Sequence, residues 1–320
     1  MKILFMIRDP FVDAYPKLIR DAKGLADEVK VLYTDNGIKK EDLLQEVKDV
    51  DIIVVAIVKI DQEVIDAAPR LKYIIKFGAG YDNIDVHYAD QKGIPVTNAP
   101  GLNAESVADH AFGLLLSASR SIPQKDKEIK TNQWELSVGH EIYGKQLGIL
   151  GFGSIGKAIA KRAYGFNMTT LASGNYKDYG TADKWNVTFV EKEELFAASD
   201  FIIVSTSLTK HNRRMVNKAL LNRMKPAAFL INISRGGLIH EQDLIEALKQ
   251  KRIKGAALDV FEMEPPQNEL AMLPNVIATS HVGGSTYESI QRIGNLTIQN
   301  ISQFLRNEPL EFVVTPNLNK

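Results

Sequence analysis

Cysteine is absent from the 320-residue chain. That excludes disulfides, thiolate zinc sites, iron–sulfur clusters and a thiol nucleophile, and it fits a reducing compartment. Neither sign of charge is in excess, because 39 Lys plus Arg balance 39 Asp plus Glu. No global field therefore draws nucleic acid or an anionic membrane, and any charge-dependent chemistry is local. Long hydrophobic runs are missing too. The longest apolar stretch, Ile52–Val58, falls far short of the ~20 residues that span a bilayer. The N-terminal run Met1–Ile7 is ended by Arg8, Asp9 and Pro10 before a signal-peptide core can form. Proline is sparse, at 12 residues, whereas 45% of the chain is hydrophobic. That composition favours a sizeable core over disorder, and the length favours two domains. The expectation is a soluble, cytoplasmic protein with no nucleic-acid or membrane partner.

Short β-rich runs alternate with amphipathic segments from the start. Ile3–Ile7, Val29–Leu32, Ile52–Val55 and Tyr73–Phe77 are separated by helical patterns such as Glu41–Val47 and Gln62–Ala68. A second series runs through Leu147–Leu150, Met168–Leu171, Phe201–Val204, Phe229–Ile233, Ala256–Leu258 and Val276–Ala278. This rhythm predicts an α/β protein of two doubly wound parallel-sheet domains, Rossmann-like or flavodoxin-like. Asn98-Ala99-Pro100-Gly101 punctuates the pattern before a long helix ending near Arg120, and a return crossing is expected near Gly284–Tyr287. Residues 1–99 with 289–320 are therefore expected to form one domain and residues 100–288 the other. Ser289–Leu305 reads as one helix, and Glu311–Thr315 as an extended tail packing back on the first domain.

Leu147–Leu150 leads into Gly151-Phe152-Gly153-Ser154-Ile155-Gly156 and then a helical pattern. This is G-x-G-x-x-G in its required setting of strand, turn and helix, the setting in which a dinucleotide pyrophosphate is bound. Gly151 allows the tight turn and Gly153 the close approach of a pyrophosphate. Gly156 lets the helix pack on the sheet, while the N–H groups near Ser154 and Ile155 face the anion. The acidic residue that usually follows the next strand and binds the ribose of NAD is missing. Ala172-Ser173-Gly174-Asn175 stands there, with no carboxylate before Asp178. Ser173, Asn175 and Lys177 could donate to a 2′-phosphate, although no arginine clamps it, so the pattern tilts slightly toward NADP(H) over NAD(H). The same residues equally suit a plain turn.

Three polar motifs follow later strands: Asn232-Ile233-Ser234-Arg235-Gly236-Gly237, Leu258-Asp259 through Glu264-Pro265, and Ser280-His281-Val282-Gly283-Gly284-Ser285. Carboxyl ends of strands are where open α/β sheets place ligands. With Gly78-Ala79-Gly80-Tyr81-Asp82-Asn83-Ile84-Asp85, Ser106-Val107-Ala108 and Gly144–Ile149 in the same order, the chain resembles the D-isomer-specific 2-hydroxyacid dehydrogenases over nearly its whole length. The resemblance implies a catalytic set of Arg235, Glu264 and His281 in an active-site cleft between the domains. Arginine would grip a substrate carboxylate with its rigid fork, and histidine would exchange the proton of the hydroxyl. Glutamate would orient the imidazole and stabilise its protonated form. It further implies cofactor contacts from Ser205, Thr206, Ile233, Ser234, Asp259, Gly283 and Gly284, although Asp259 equally suits a cap or turn. Substrate contacts are implied from the backbone at Ala79 and Gly80, a nest of amides suited to a carboxylate.

Phosphoglycerate dehydrogenases of this family use extra cations for the phosphate. One such position corresponds to Lys76 and the other to Val55, so one cation is missing, and the chain stops soon after its return helix. A small unphosphorylated 2-keto acid such as glyoxylate or hydroxypyruvate is the expected substrate, with Lys76 either a contact or a solvated strand end. The alternatives are a D-3-phosphoglycerate dehydrogenase or a dinucleotide-sensing protein like the related corepressors, since fold alone does not fix function. An amino acid dehydrogenase would need an amine-handling lysine, and no such motif is present. The resemblance also implies a homodimer, for which the apolar helix around Ala111–Leu116 is the candidate face, unless that helix is wholly buried within the monomer. His87, His110, His140, His211 and His240 lack metal-ligand spacing, so no metal is expected.

Overall fold

Five apolar runs pair as parallel strands in the first sheet: β1 (Lys2–Ile7), β2 (Glu28–Tyr33), β3 (Ile52–Val55), β4 (Tyr73–Lys76) and β5 (Val96–Thr97), in the order β2-β1-β3-β4-β5. Every residue of β3 and β4 is buried, as expected of strands covered by helices on both faces. The computed structural model describes residues 1–316 and divides into two compact units. The first comprises Met1–Asn103 with the C-terminal segment from Ser285. The last four residues of the expected first domain, 317–320, lie outside the described residues.

In that unit the C-terminal helix is Tyr287–Leu305. It begins two residues earlier than its apolar pattern suggests, because the Thr286 hydroxyl accepts the Ser289 N–H at 3.1 Å and caps it. Its inner face buries Ile290, Ile293, Leu296 and Ile301 with Ile3, Phe5, Leu18 and Tyr73. The tail returns along β5, with Val314 N–H donating to the Val96 carbonyl at 2.8 Å. Of the two readings of Lys76, a substrate contact or a solvated strand end, the second does not hold. Lys76 is 8% exposed, and its ammonium donates to the Ala56 carbonyl and to Asn83 Oδ1.

The second unit, Ala104–Gly284, carries seven parallel strands. They are β6 (Gln146–Leu150), β7 (Thr169–Ser173), β8 (Val187–Phe189), β9 (Phe201–Val204), β10 (Phe229–Asn232), β11 (Gly255–Leu258) and β12 (Val276–Ala278), in the order β12-β11-β10-β9-β6-β7-β8. The order reverses between β6 and β9, which is the switch point where a doubly wound sheet opens a crevice.

Of the two readings of the long apolar helix, burial within its own unit is the one observed. The helix Ala104–Arg120 does not present its apolar residues to a partner. Ala108, Ala111, Phe112, Leu114 and Leu115 are buried with Leu147, Ile149, Phe229, Ile231 and Ala257. A helix apolar over so wide an arc is covered inside its own unit. The segment C-terminal to this helix was not legible from the pattern. It holds a polar helix, Ile122–Lys130, and an irregular stretch to residue 145 on which Trp134, Leu136 and Val138 are each more than 90% exposed. No helix among the described residues is long and apolar enough to cross a membrane.

Candidate active site

The glycine turn sits at the switch point. Gly151 adopts φ +105, and a Cβ there would lie 2.6 Å from the backbone of Thr206, just beyond β9, so only glycine fits. The helix Ser154–Gly165 starts immediately after Gly153, and no side chain caps it. Its first amides, at Ser154, Ile155 and Gly156, therefore lack intrahelical partners by geometry, and the space around Gly153 is open. Such an end, with its dipole, suits a phosphate. Two hydroxyls expected near the cofactor also brace the turn: Ser205 Oγ donates to the Gly151 carbonyl at 2.7 Å, and Ser234 Oγ donates to the Thr206 carbonyl.

At the end of β7, Ser173 is buried and Asn175 and Lys177 are exposed. Asp178, the first carboxylate after them, faces away from that role. It caps the helix Tyr179–Lys184 through the Thr181 N–H and pairs with Lys157 Nζ at 2.5 Å. The Lys157 bond, aided by Thr181, pulls its pKa down to about 2.

The three polar motifs occupy the loops after β10, β11 and β12, which are neighbours in the sheet. Asn232, at the end of β10, folds the first. Its Oδ1 accepts the Ser234 N–H and its Nδ2 donates to the Arg235 carbonyl, at 3.1 and 3.0 Å. Glu264 Oε2 lies 2.8 Å from His281 Nδ1, while Oε1 accepts the Phe261 N–H at 3.2 Å. A carboxylate can only accept, so Nδ1 carries the proton and Nε2 is the nitrogen left for other work. This pair is half-exposed, and exposed pairs contribute only about 0–1 kcal/mol.

What fixes His281 is Asp259. His281 has φ +55, an uncommon conformation for a residue with a Cβ. Its N–H donates to the Asp259 carbonyl at 2.8 Å, and the next two amides, Val282 and Gly283, donate to the Asp259 carboxylate at 2.9 and 2.8 Å. Thr279 Oγ1 donates to the same carboxylate at 2.6 Å, with His110 Nε2 3.3 Å away. Burial pushes the Asp259 carboxyl up, but His110, Thr279 and the two amides outweigh it and hold the pKa below its ordinary value. Asp259 thus acts here as the turn-forming residue. His110 and Thr279 carried no signal in the sequence, since isolated polar residues on a helix and after a strand do not announce a shared partner. Gly283 lies under this carboxylate, and Gly284 follows it.

In the first unit, Gly78-Ala79-Gly80 follows β4. Asn98 Nδ2 donates to the Ala79 carbonyl at 2.6 Å, and Ala99 N–H donates to the Gly78 carbonyl at 2.9 Å, which fixes the loop. Val55 is fully buried and pairs in register with Lys76. Among the described residues no group of three or more His, Asp or Glu side chains is placed to hold a metal ion.

Comparison with known proteins settles the family. Residues 112–283 match the model of the D-isomer specific 2-hydroxyacid dehydrogenase NAD binding domain. A glyoxylate reductase of Pyrococcus furiosus is 42% identical over 88% of this chain and 87% of that protein. The chain belongs to the D-isomer specific 2-hydroxyacid dehydrogenases. It is therefore a nicotinamide-dependent oxidoreductase. A D-3-phosphoglycerate dehydrogenase of Methanocaldococcus jannaschii is 41% identical over 94% of this chain, which spans 59% of that protein. Among solved structures, an acyclic imino acid reductase in complex with NADPH and D-Arg has a TM-score of 0.87 at 30% identity, covering 98% of this chain and 100% of that one. D-Lactate dehydrogenase from Aquifex aeolicus, complexed with NAD and lactic acid, has a TM-score of 0.84 at 27% identity over 96% of each chain.

Proposed function

We propose that this dehydrogenase is a glyoxylate/hydroxypyruvate-type reductase acting through Arg235, Glu264 and His281. The observation that carries the reading is the Glu264–His281 contact, built on loops after neighbouring strands and beside the Arg235 loop. When bound, the nicotinamide cofactor supplies the hydride that reduces the keto carbon. The Arg235 guanidinium binds the substrate carboxylate and polarises the adjacent keto oxygen. His281 Nε2 gives its proton to that oxygen as it becomes a hydroxyl, and Glu264 offsets the charge of the imidazolium before transfer. In the reverse direction His281 takes the proton back. Ala79 and Gly80 amides are proposed as further donors to the carboxylate.

The chain's residues fit a dinucleotide, since the open helix end after Gly153 offers donors for its pyrophosphate. Ile233, Ser234, Asp259, Gly283 and Gly284 are proposed near its nicotinamide end, and Ser205 and Thr206 near its adenosine end. Because Asp178 is spent on Lys157 and on its helix cap, no carboxylate from it repels a 2′-phosphate. That supports NADP(H) slightly over NAD(H), with Ser173, Asn175 and Lys177 as donors. A full hydrophobic β3 at Val55 supports an unphosphorylated substrate, because no second cation is available at that position. Roles of residues 1–99 with 289–320 in substrate binding and of 100–288 in dinucleotide binding, and a cytoplasmic location, belong to the same reading.

A homodimer is also proposed, with the stretch on which Trp134, Leu136 and Val138 stand exposed as its candidate surface, since three large apolar side chains so exposed within five residues gain by being covered. Light scattering of wild type and Trp134→Ser tests it. The enzymatic reading is tested by His281→Asn, which should abolish keto-acid-dependent oxidation of NAD(P)H while leaving cofactor binding intact. Retained turnover would refute it.

A further inference from the structure

We propose that Glu241 is a positioning residue for the reaction, a buried clamp that sets the loop carrying Glu264. The inference rests on the catalytic reading of Glu264 and His281. Glu241 opens the helix Glu241–Lys249, six residues after Arg235, and is 7% exposed. A carboxylate this deeply placed persists only where its oxygens are satisfied. Both are: Oε1 accepts the Glu262 N–H at 2.6 Å, and Oε2 accepts from Asn268 Nδ2. The two bonds fall on either side of Glu264 and hold both ends of its loop to one side chain.

Other contacts leave that loop little freedom on this side. Arg214 grips the Glu262 carboxylate with a fork of 2.8 and 3.2 Å, and Arg214 N–H donates to the Gly237 carbonyl at 2.7 Å. The Glu264 loop is thus tied to the segment after Arg235, and Glu241 is the buried part of the tie. Asn268 Oδ1 is already used, accepting the Leu270 N–H at 3.0 Å, so this amide presents its NH2 to Glu241 in a fixed sense. Glutamine at 241 has one accepting oxygen and one donating NH2. It can serve the Glu262 amide or Asn268, not both. Aspartate is one methylene short of reaching either.

Glu264 and His281 need about hydrogen-bond precision, and a misplacement of about 1 Å at such a site costs on the order of 100-fold in rate. The test uses full-length wild type, Glu241→Gln, Glu264→Gln and the double variant, with steady-state reduction of glyoxylate and a cofactor Kd from fluorescence. Glu241→Gln is expected to lower kcat by about 10- to 100-fold, with substrate KM and cofactor Kd within about threefold of wild type. In the Glu264→Gln background the same change should cost less than about threefold, since the group being positioned is gone. Asn268→Ala, which removes one of the two bonds, should show the same pattern at smaller size, and thermal melts identify any variant that fails to fold. An equal loss from Glu241→Gln in both backgrounds, or a loss confined to Tm, overturns the positioning role. A full effect of Glu264→Gln with none from Glu241→Gln or Asn268→Ala overturns the clamp alone. No effect from Glu264→Gln overturns the catalytic reading and the clamp with it.

Discussion

Gly236→Ala is a sharp perturbation because it acts on backbone, not on a flexible side chain. A Cβ at 236 would stand 1.8 Å from the Phe261 carbonyl carbon and 2.3 Å from the Glu262 nitrogen. Ordinary contact begins at 3.4 Å, so the Arg235 and Glu264 loops must part by about 1.6 Å. Overpacking of this kind costs about 1–3 kcal/mol, and the melting temperature reports that part of the effect separately. In catalysis, a shift beyond 1 Å is expected to reduce kcat by about 100-fold or more, equivalent to about 2.7 kcal/mol of barrier. The neighbouring glycine is the control. A Cβ at Gly237 would meet the tip of Leu208 at 3.2 Å and the Arg213 guanidinium at 3.5 Å, and the ends of both flexible side chains can move. Steady-state rates, cofactor Kd and melting temperature of Gly236→Ala and Gly237→Ala should therefore separate, with large loss of kcat in the first and little in the second. If Gly236→Ala kept kcat within about threefold of wild type, the proposal that these two loops act together in catalysis would be wrong.

Asp259→Asn should be less stable than wild type near neutral pH. Because the native Asp259 carboxyl is held below its ordinary pKa, its contribution is present above about pH 4 and is lost as pH falls through the native value. The Tm difference between the two proteins should narrow in acid, and a constant difference would contradict the assignment. Tyr73→Phe removes a hydroxyl buried 2.6 Å from Thr97 Oγ1, and denaturant melts should show a loss of about 1–3 kcal/mol from the unsatisfied partner. Introducing Asn175→Asp, which places a carboxylate just after β7, should lower kcat/KM for NADPH relative to NADH at least tenfold, a difference of about 1.4 kcal/mol. An unchanged ratio would remove β7's end from cofactor selection.

Much of this was legible in the chain because the signals were local and periodic. The glycine turn carries its own context of strand and helix, and Arg235, Glu264 and His281 each stand a few residues after an apolar run. Short elements escaped: β5 has two residues and β8 three, too few for a period to register. Glu241 escaped for another reason. An acidic residue in the first turn of a helix is ordinary, and only the fold shows its oxygens facing the Glu262 amide and Asn268. The same holds for the meeting of His110, Thr279 and Asp259, whose separations along the chain exceed any motif. The apolar residues around Ala111–Leu116 were legible as apolar and as either covered or partner-facing, since a pattern does not reveal which neighbour fills a face.

The most direct test is a matrix of initial rates: glyoxylate, hydroxypyruvate, pyruvate and 3-phosphohydroxypyruvate, each with NADH and NADPH, for wild type and His281→Asn. The account predicts the highest kcat/KM for glyoxylate or hydroxypyruvate, a modest advantage for NADPH, and loss of turnover in the variant. A preference for 3-phosphohydroxypyruvate would overturn the reading of Val55, and no turnover of any keto acid would contradict the reductase assignment itself.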